Sequence, residues 1–216
     1  MKALQYLFLS GFIGILMTDS SGCGENFIPD PADSRLPAYT GNGNQVAGAI
    51  INGMAWKTHW AWGDMGLQRS FYFTDYPSGD SVTLSLDGIM TDGPYRNSIL
   101  TLIVSIKNLH IINLEAVKIL NGRTFILDGK NSYAGTGKVF YPDTSGLYGC
   151  TGGTGILSFK SVRENKRETN TRKNGDKYHP LIVAGVFHFN FKDSGVNVDS
   201  GRFDFQINDL YIDQEE

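Results

Sequence analysis

The sequence predicts an all-β domain, either an antiparallel β-sandwich or a partly open barrel of about 9–12 strands with little helix. Apolar and polar residues alternate from residue 46 onward, and a strand with one buried face shows this period of two. Turn residues separate the alternating segments at spacings of roughly 10–20 residues. Glycine accounts for 26 of 216 residues, above the usual share of about 7%, and many turns need the positive φ that glycine adopts without a steric penalty.

The predicted strands begin with a hairpin. Asn52-Gly53 lies between two apolar runs, which is the strongest short-range hairpin signal, so residues 46–51 and 54–62 are expected to pair. In the second run Met54, Trp56, Thr58, Trp60 and Trp62 would share one face. Further strands are predicted at residues 70–74, 81–87, 98–107, 122–128, 137–141, 154–162, 181–192 and 201–207.

The last two predicted strands show the clearest alternation. Their inward residues are expected to be Phe187, Phe189, Phe191, Phe203, Phe205 and Ile207. Asp193-Ser194-Gly195 and Asp199-Ser200-Gly201 are predicted to be turns. Residues 113–120 form the one segment that fits a helix, with Asn113 as its cap and Gly122 just past its end. At about two turns, this segment fits a strand equally well.

The first 22 residues predict an export signal. Lys2 precedes an almost wholly apolar stretch, residues 4–17, which is too short for a spanning helix of about 20 residues. The small residues Ser20-Ser21-Gly22 then lead directly to Cys23, which resembles a bacterial lipoprotein signal whose cysteine is lipidated. The alternatives are an ordinary secretory signal and a buried amphipathic or membrane segment. With an unlipidated Cys23, a disulfide to Cys150 becomes possible in an oxidising compartment.

Residues 23–45 are predicted to be the lipidated cysteine and a flexible tether. The segment after Cys23 contains three prolines, three glycines and scattered polar residues without a period, a composition that favours a linker between membrane and domain. The alternative is a loop packed on the domain surface through Phe27 and Tyr39. Residues 46–216 are expected to form a single all-β domain.

Several short motifs occur in a distinctive order. Cys23 and its polar tether precede Ala49–Trp56, which contains the Asn-Gly-x-x-Trp turn, and the chain closes with Gly185-Val186-Phe187 and Gly201-Arg202-Phe203-Asp204. This order resembles a family of uncharacterised lipoproteins of Bacteroidota. The resemblance implies an exported all-β domain anchored in the outer membrane, facing the periplasm or the cell surface, and it implies no activity.

No strong catalytic signature occurs in the sequence. The P-loop, the GxSxG nucleophile elbow and HExxH are all absent, and no two of the four histidines, His59, His110, His179 and His188, lie within four residues of each other. We therefore predict no catalytic residues, no metal site and no cofactor.

Aspartates accumulate toward the end of the chain and admit two interpretations. Such oxygens could bind calcium, but the EF-hand spacing is missing and hydrogen bonding within turns accounts for Asp193 and Asp199. Asp204 beside Arg202 is expected to be an ion-pair partner or a buried turn anchor rather than a general acid. The aspartates concerned are Asp193, Asp199, Asp204, Asp209 and Asp213.

Two features suggest binding. Trp60 and Trp62 lie beside a glycine-containing loop, where exposed indoles could stack on sugars, whereas Trp56 is expected in the core. Residues 160–177 carry seven of the 19 lysines and arginines. They are predicted to form a long solvated hairpin, and the alternative is an electrostatic contact with anionic lipid or polysaccharide.

These observations predict a cell-envelope lipoprotein with a non-catalytic binding or structural role. Its expected partners are the membrane, through the lipid anchor, and either a glycan or another envelope protein. A net charge of -3 argues against a nucleic-acid partner. The alternative is a carbohydrate-binding accessory protein or a glycan-active hydrolase, and a hydrolase needs two carboxyl groups facing each other about 5–9.5 Å apart.

Overall fold

The computed structural model describes residues 27–58, 71–75, 81–111, 113–137 and 149–208. These residues form twelve strands and one short 3-10 helix, Ala116–Leu120. The strands are β1 Val46–Ile51, β2 Met54–Thr58, β3 Phe71–Asp75, β4 Ser81–Met90, β5 Ile99–Lys107, β6 Thr124–Asp128, β7 Tyr133–Thr136, β8 Thr154–Glu164, β9 Asn170–Thr171, β10 Lys177–Tyr178, β11 Leu181–Phe191 and β12 Val196–Ile207.

Ten of these strands form one antiparallel sheet in the order β6-β8-β11-β12-β1-β2-β4-β5-β7, with β3 paired to β4. The sheet nearly closes, because Ala134 of β7 forms a bridge with Gly153, just before β8, through two N–H···O bonds of 2.9 Å. The fold class predicted from the alternation is confirmed: the described chain is all-β, with a nearly closed sheet in a barrel or sandwich arrangement.

The first hairpin is confirmed. Asn52 and Gly53 have φ of 47° and 82°, and two consecutive positive φ angles are characteristic of the type I′ turn, whose twist matches that of the flanking strands. Ile51 and Met54 consequently lie opposite each other at the start of the β1–β2 ladder.

One apolar core fills the interior of the sheet. Trp56 is fully buried, and its indole Nε1 donates to the Leu100 carbonyl at 3.0 Å, so this large side chain leaves no polar atom unsatisfied. Phe159 packs edge-on against Phe203 with ring centroids 5.6 Å apart. The inward faces predicted for the last two strands are confirmed by burial of Phe187, Phe189, Phe191, Phe203, Phe205 and Ile207.

The prediction of a turn at residues 199–201 is wrong. These residues lie inside β12, and the pairing register shifts beside them on both neighbouring strands, β1 and β11. Ser200 has a φ of 52°. Such a residue inside a continuous strand is a β-bulge, which bends the strand without ending it, so β12 runs unbroken through the centre of the sheet.

The segment before β1 is packed on the sheet. We call residues 27–45 the strap. Pro29 and Pro37 form a bridge, flanked by hydrogen bonds from the Asp30 amide to the Leu36 carbonyl at 2.9 Å and from the Ala38 amide to the Ile28 carbonyl at 2.6 Å. Leu36 is buried beneath it. The described part of this segment is therefore packed on the domain, through Leu36 rather than through Tyr39, which is 41% exposed.

Ion pairs hold the strap to the outer face of the sheet. Asp30 pairs with Arg202 of β12, and Arg35 bridges Asp33 at 2.8 Å and Asp92 at 3.2 Å. Gly48 of β1 permits the close approach, since a Cβ there would lie 2.4 Å from Pro37 Cδ. The strap is therefore an additional layer of the fold.

Candidate functional site

A polar groove of about 800 Å³ opens at one end of the sheet. We call it the rim groove. It is lined by residues 42–44, Lys118, Asn121, residues 162–168, Ile182 and Gln206. Its volume falls within the range of about 300–1,000 Å³ typical of ligand sites. Its walls come from the strap, the end of the 3-10 helix, β8 with the hairpin that follows it, β11 and β12.

A buried carboxylate holds the strap side of the rim groove. Asp204 is 2% exposed and accepts hydrogen bonds from Thr40 Oγ1 at 2.5 Å, the Asn42 amide at 3.1 Å and the Gly43 amide at 2.6 Å. Because hydrogen bonds to a charged acceptor are the stronger ones, the loop is fixed in place. Of the two roles predicted for Asp204, the structure shows the buried anchor, while Arg202 pairs with Asp30.

A network of amides links the hairpin after β8 to β12 beside this strap segment. Asn165 is nearly buried and its Nδ2 donates to Gln206 Oε1 at 2.6 Å, while its Oδ1 accepts from the Arg167 amide at 3.2 Å. Gln206 Nε2 in turn donates to Glu168 Oε2 at 2.7 Å. These bonds tie the hairpin after β8 to strand β12, so the groove wall is positioned before any ligand arrives.

The cations of the rim groove fall into two groups. Lys118 contacts Glu115 at 2.7 Å and Glu164 at 2.6 Å; these carboxylates raise the pKa of Lys118, and Lys118 lowers the pKa of Glu164. Arg163 Nη2 donates to the Gly41 carbonyl at 2.9 Å. Lys166 and Arg167 are exposed, and their side-chain nitrogens make no hydrogen bond or ion pair within the described ranges.

Both groove carboxylates are engaged by neighbouring side chains. Glu164 pairs with Lys118 at 2.6 Å, and Lys118 lowers the pKa of Glu164. Glu168 Oε2 accepts a hydrogen bond from the side-chain amide of Gln206. The arrangement of amides and cations is suited to holding a polar ligand.

A second surface lies on the outer face of β6, β8 and β11. Ile126 is 78% exposed and lies opposite Ile156, which lies opposite His188. Tyr39 of the strap, 41% exposed, borders the same face. This surface is shallow and partly apolar, in contrast to the polar rim groove.

The predicted site residues Cys23, Trp60 and Trp62 lie outside the described residues, so these predictions stay predictions. Among the residues that are described, no group of three or more His, Cys, Asp and Glu side chains could hold a metal ion. Cys150 is a buried free thiol whose Sγ donates to Ser194 Oγ at 3.2 Å.

The predicted hairpin at residues 160–177 is confirmed and contributes to the rim groove. Its outer part is the β9–β10 ribbon, with Gly175 at a φ of 90° in the turn. Its base supplies Arg163, Lys166 and Arg167 to the groove lining. The amide side chains of the groove carry no sequence signal of their own, because they come from separate segments.

No family model matches the chain, and no curated protein or solved structure matches it either. Within the described ranges, no helix has the length and apolar character needed to cross a membrane.

Proposed function

We propose that the chain is an exported lipoprotein, attached to the cell envelope through a lipid on Cys23, that binds a polar ligand in the rim groove and catalyses no reaction on it. The observation that carries the binding role is the rigid construction of the groove. Asp204 fixes the strap segment at residues 42–43, and the Asn165–Gln206–Glu168 network fixes the hairpin after β8. Preorganised polar groups bind a ligand at a lower ordering cost.

Two observations favour binding over catalysis. The interior of the sheet is filled by one apolar core, which places ligand contacts on the surface. In the rim groove, Glu164 is paired with Lys118 at 2.6 Å and Glu168 accepts from Gln206 at 2.7 Å, so both carboxylates already serve to hold the groove together.

The anchor is tested by metabolic labelling with palmitate in cells that express the full chain. Label should enter the wild-type protein and be lost in Cys23→Ala. Label that persists in the variant would exclude Cys23 as the lipidated residue.

The binding role is tested on a glycan array with the secreted mature chain carrying Cys23→Ser. Asn42→Ala removes a groove side chain but leaves the backbone amide that bonds Asp204. Asn190→Ala is the matched control, because Asn190 is an exposed amide on β11 outside the groove. Binding should fall in Asn42→Ala and persist in Asn190→Ala. An equal response of the two variants, or no retained glycan, would refute the rim groove as the site.

A further inference from the structure

We propose that the ligand of the rim groove is an acidic polysaccharide, whose carboxylate or sulfate groups are received by Arg163, Lys166 and Arg167. This inference rests on the proposed binding role and assigns the ligand its chemical class. It follows from the balance of charge, from the geometry of the guanidinium groups and from the concave shape of the site.

The rim groove exposes more cations than carboxylates, in a chain of net charge -3. Its lining includes four cations and two carboxylates. Lys118 is paired with Glu115 and Glu164, and the buried carboxylate of Asp204 is engaged by Thr40, Asn42 and Gly43. The exposed cations of the lining are then Arg163, Lys166 and Arg167, beside one exposed carboxylate, Glu168, which accepts from Gln206. A surface of this sign attracts anions in preference to neutral or cationic ligands.

Arg163 is positioned to receive an anionic group. Its Nη2 donates to the Gly41 carbonyl, which uses one of the five N–H donors of the guanidinium. The remaining donors form the planar fork that matches two oxygens of a carboxylate or sulfate. Arg167 follows four residues later on the same hairpin base, where the hydrogen bond from its backbone amide to Asn165 holds its main chain.

Hydroxyl recognition and shape favour a saccharide over a lipid headgroup. The amides of Asn42, Asn44 and Asn121 line the same groove, and an amide can both donate to and accept from a sugar hydroxyl. Asn44 Nδ2 donates to Thr40 and Asn121 Oδ1 accepts from the Val162 amide, so Asn44 would offer its oxygen and Asn121 its NH₂ group. The site is a concave groove of about 800 Å³. A groove suits an extended polymer chain better than it suits a flat bilayer surface.

The test measures binding of the mature chain carrying Cys23→Ser to four probes: polygalacturonate, chondroitin sulfate, neutral dextran and vesicles containing phosphatidylglycerol. The groove variant is Lys166→Gln/Arg167→Gln. The control variant is Lys173→Gln/Lys177→Gln, which removes the same charge from exposed positions toward the tip of the same hairpin.

We expect the acidic polysaccharides to bind the unsubstituted groove. The groove variant should raise their Kd by about tenfold or more, since a lost charged hydrogen bond has this order of effect. The control should change Kd by less than about twofold, because exposed charges away from the ligand are screened. Equal weakening in both variants would refute the site in favour of nonspecific charge attraction. Binding to vesicles alone would assign the cations to lipid headgroups and overturn the saccharide.

Failure of this inference is distinguishable from failure of the proposed function. If a neutral glycan binds and Asn42→Ala abolishes that binding while Lys166→Gln/Arg167→Gln leaves it unchanged, the groove is a binding site but its ligand is not acidic. If no probe or glycan responds to either groove variant, both proposals are refuted.

Discussion

Asp204 offers the sharpest test of how the strap and the sheet depend on each other. The carboxylate accepts three hydrogen bonds from residues 40–43, with Oδ1 serving the Gly43 amide and Oδ2 serving Thr40 and Asn42. In Asp204→Asn one of these oxygens becomes an NH₂ group, which donates and cannot accept. At least one bond is lost, and a buried donor then faces another donor.

The expected cost can be worked from these contacts. A hydrogen bond to a charged group contributes about 1.5–3 kcal/mol, and a buried group left unsatisfied costs about 1–3 kcal/mol. The substitution also removes the desolvation cost of a buried charge, which offsets part of the loss. We therefore expect Asp204→Asn to lower the free energy of unfolding by about 2–4 kcal/mol.

Urea denaturation of the mature chain measures this change, and hydrogen exchange locates it. The amides of Asn42 and Gly43 should lose protection in the variant, because they donate to Asp204. Asp199→Asn is the control: it lies on the same strand but is exposed, so it should change the free energy by less than about 0.5 kcal/mol. If the two variants are equally stable and both amides stay protected, Asp204 is not the anchor of the strap.

Three further outcomes are expected. The amides of residues 130–132 donate to Asp128 and lower its pKa to about 2. The contribution of Asp128 to stability is therefore present above pH 3.8 and is lost as the pH falls through about 2. Between pH 4 and 2, the free energy of unfolding should depend less on pH in Asp128→Asn than in the wild type. Gly185→Ala places a Cβ 2.3 Å from the Ser158 carbonyl and should cost about 1–3 kcal/mol in urea denaturation, more than Gly135→Ala, whose nearest contact is 3.3 Å; equal costs would contradict the packing of β8 on β11. A variant that keeps Trp56 as its single tryptophan, with phenylalanine at the other two positions, should emit at short wavelength and resist acrylamide quenching, and strong quenching would place Trp56 outside the core.

Local periodicity was sufficient to predict most of the strands. In β11 and β12 the alternation of phenylalanine with polar residues fixes which face is buried, because side chains on a strand alternate between its two faces. β7, Tyr133–Thr136, was not predicted, since Ala134 and Gly135 dilute the pattern. Pairing with β5 and burial in the core stabilise it, and neither is visible in four residues of sequence.

The bulge at residues 199–201 shows a second limit. Aspartate, serine and glycine favour both reverse turns and the positive φ of a bulge. Which of the two forms depends on whether β1 and β11 continue past the site, and both do. The distinction therefore lies in the neighbouring strands and not in the three residues themselves.

The rim groove could be predicted only in part. The basic segment indicated Arg163, Lys166 and Arg167, but it did not show that they meet the strap. Asp204 lies in an alternating strand at a position expected to face solvent, and it is buried because a segment about 160 residues earlier in the chain covers that face. Such contacts depend on the folded topology, which local sequence does not encode.

Under the proposed lipidation of Cys23, the strap also limits how far the folded domain can lie from the membrane. Residues 24–26 are all that separate the proposed lipid on Cys23 from the strap's first residue, Phe27. At about 3.3–3.6 Å per residue, the four steps between these residues span at most about 14 Å. Asp30, three residues after Phe27, is already paired with Arg202 on the sheet. With so short a connection, the folded domain would stay next to the bilayer. It would then meet ligands only within a layer about as thick as the domain itself.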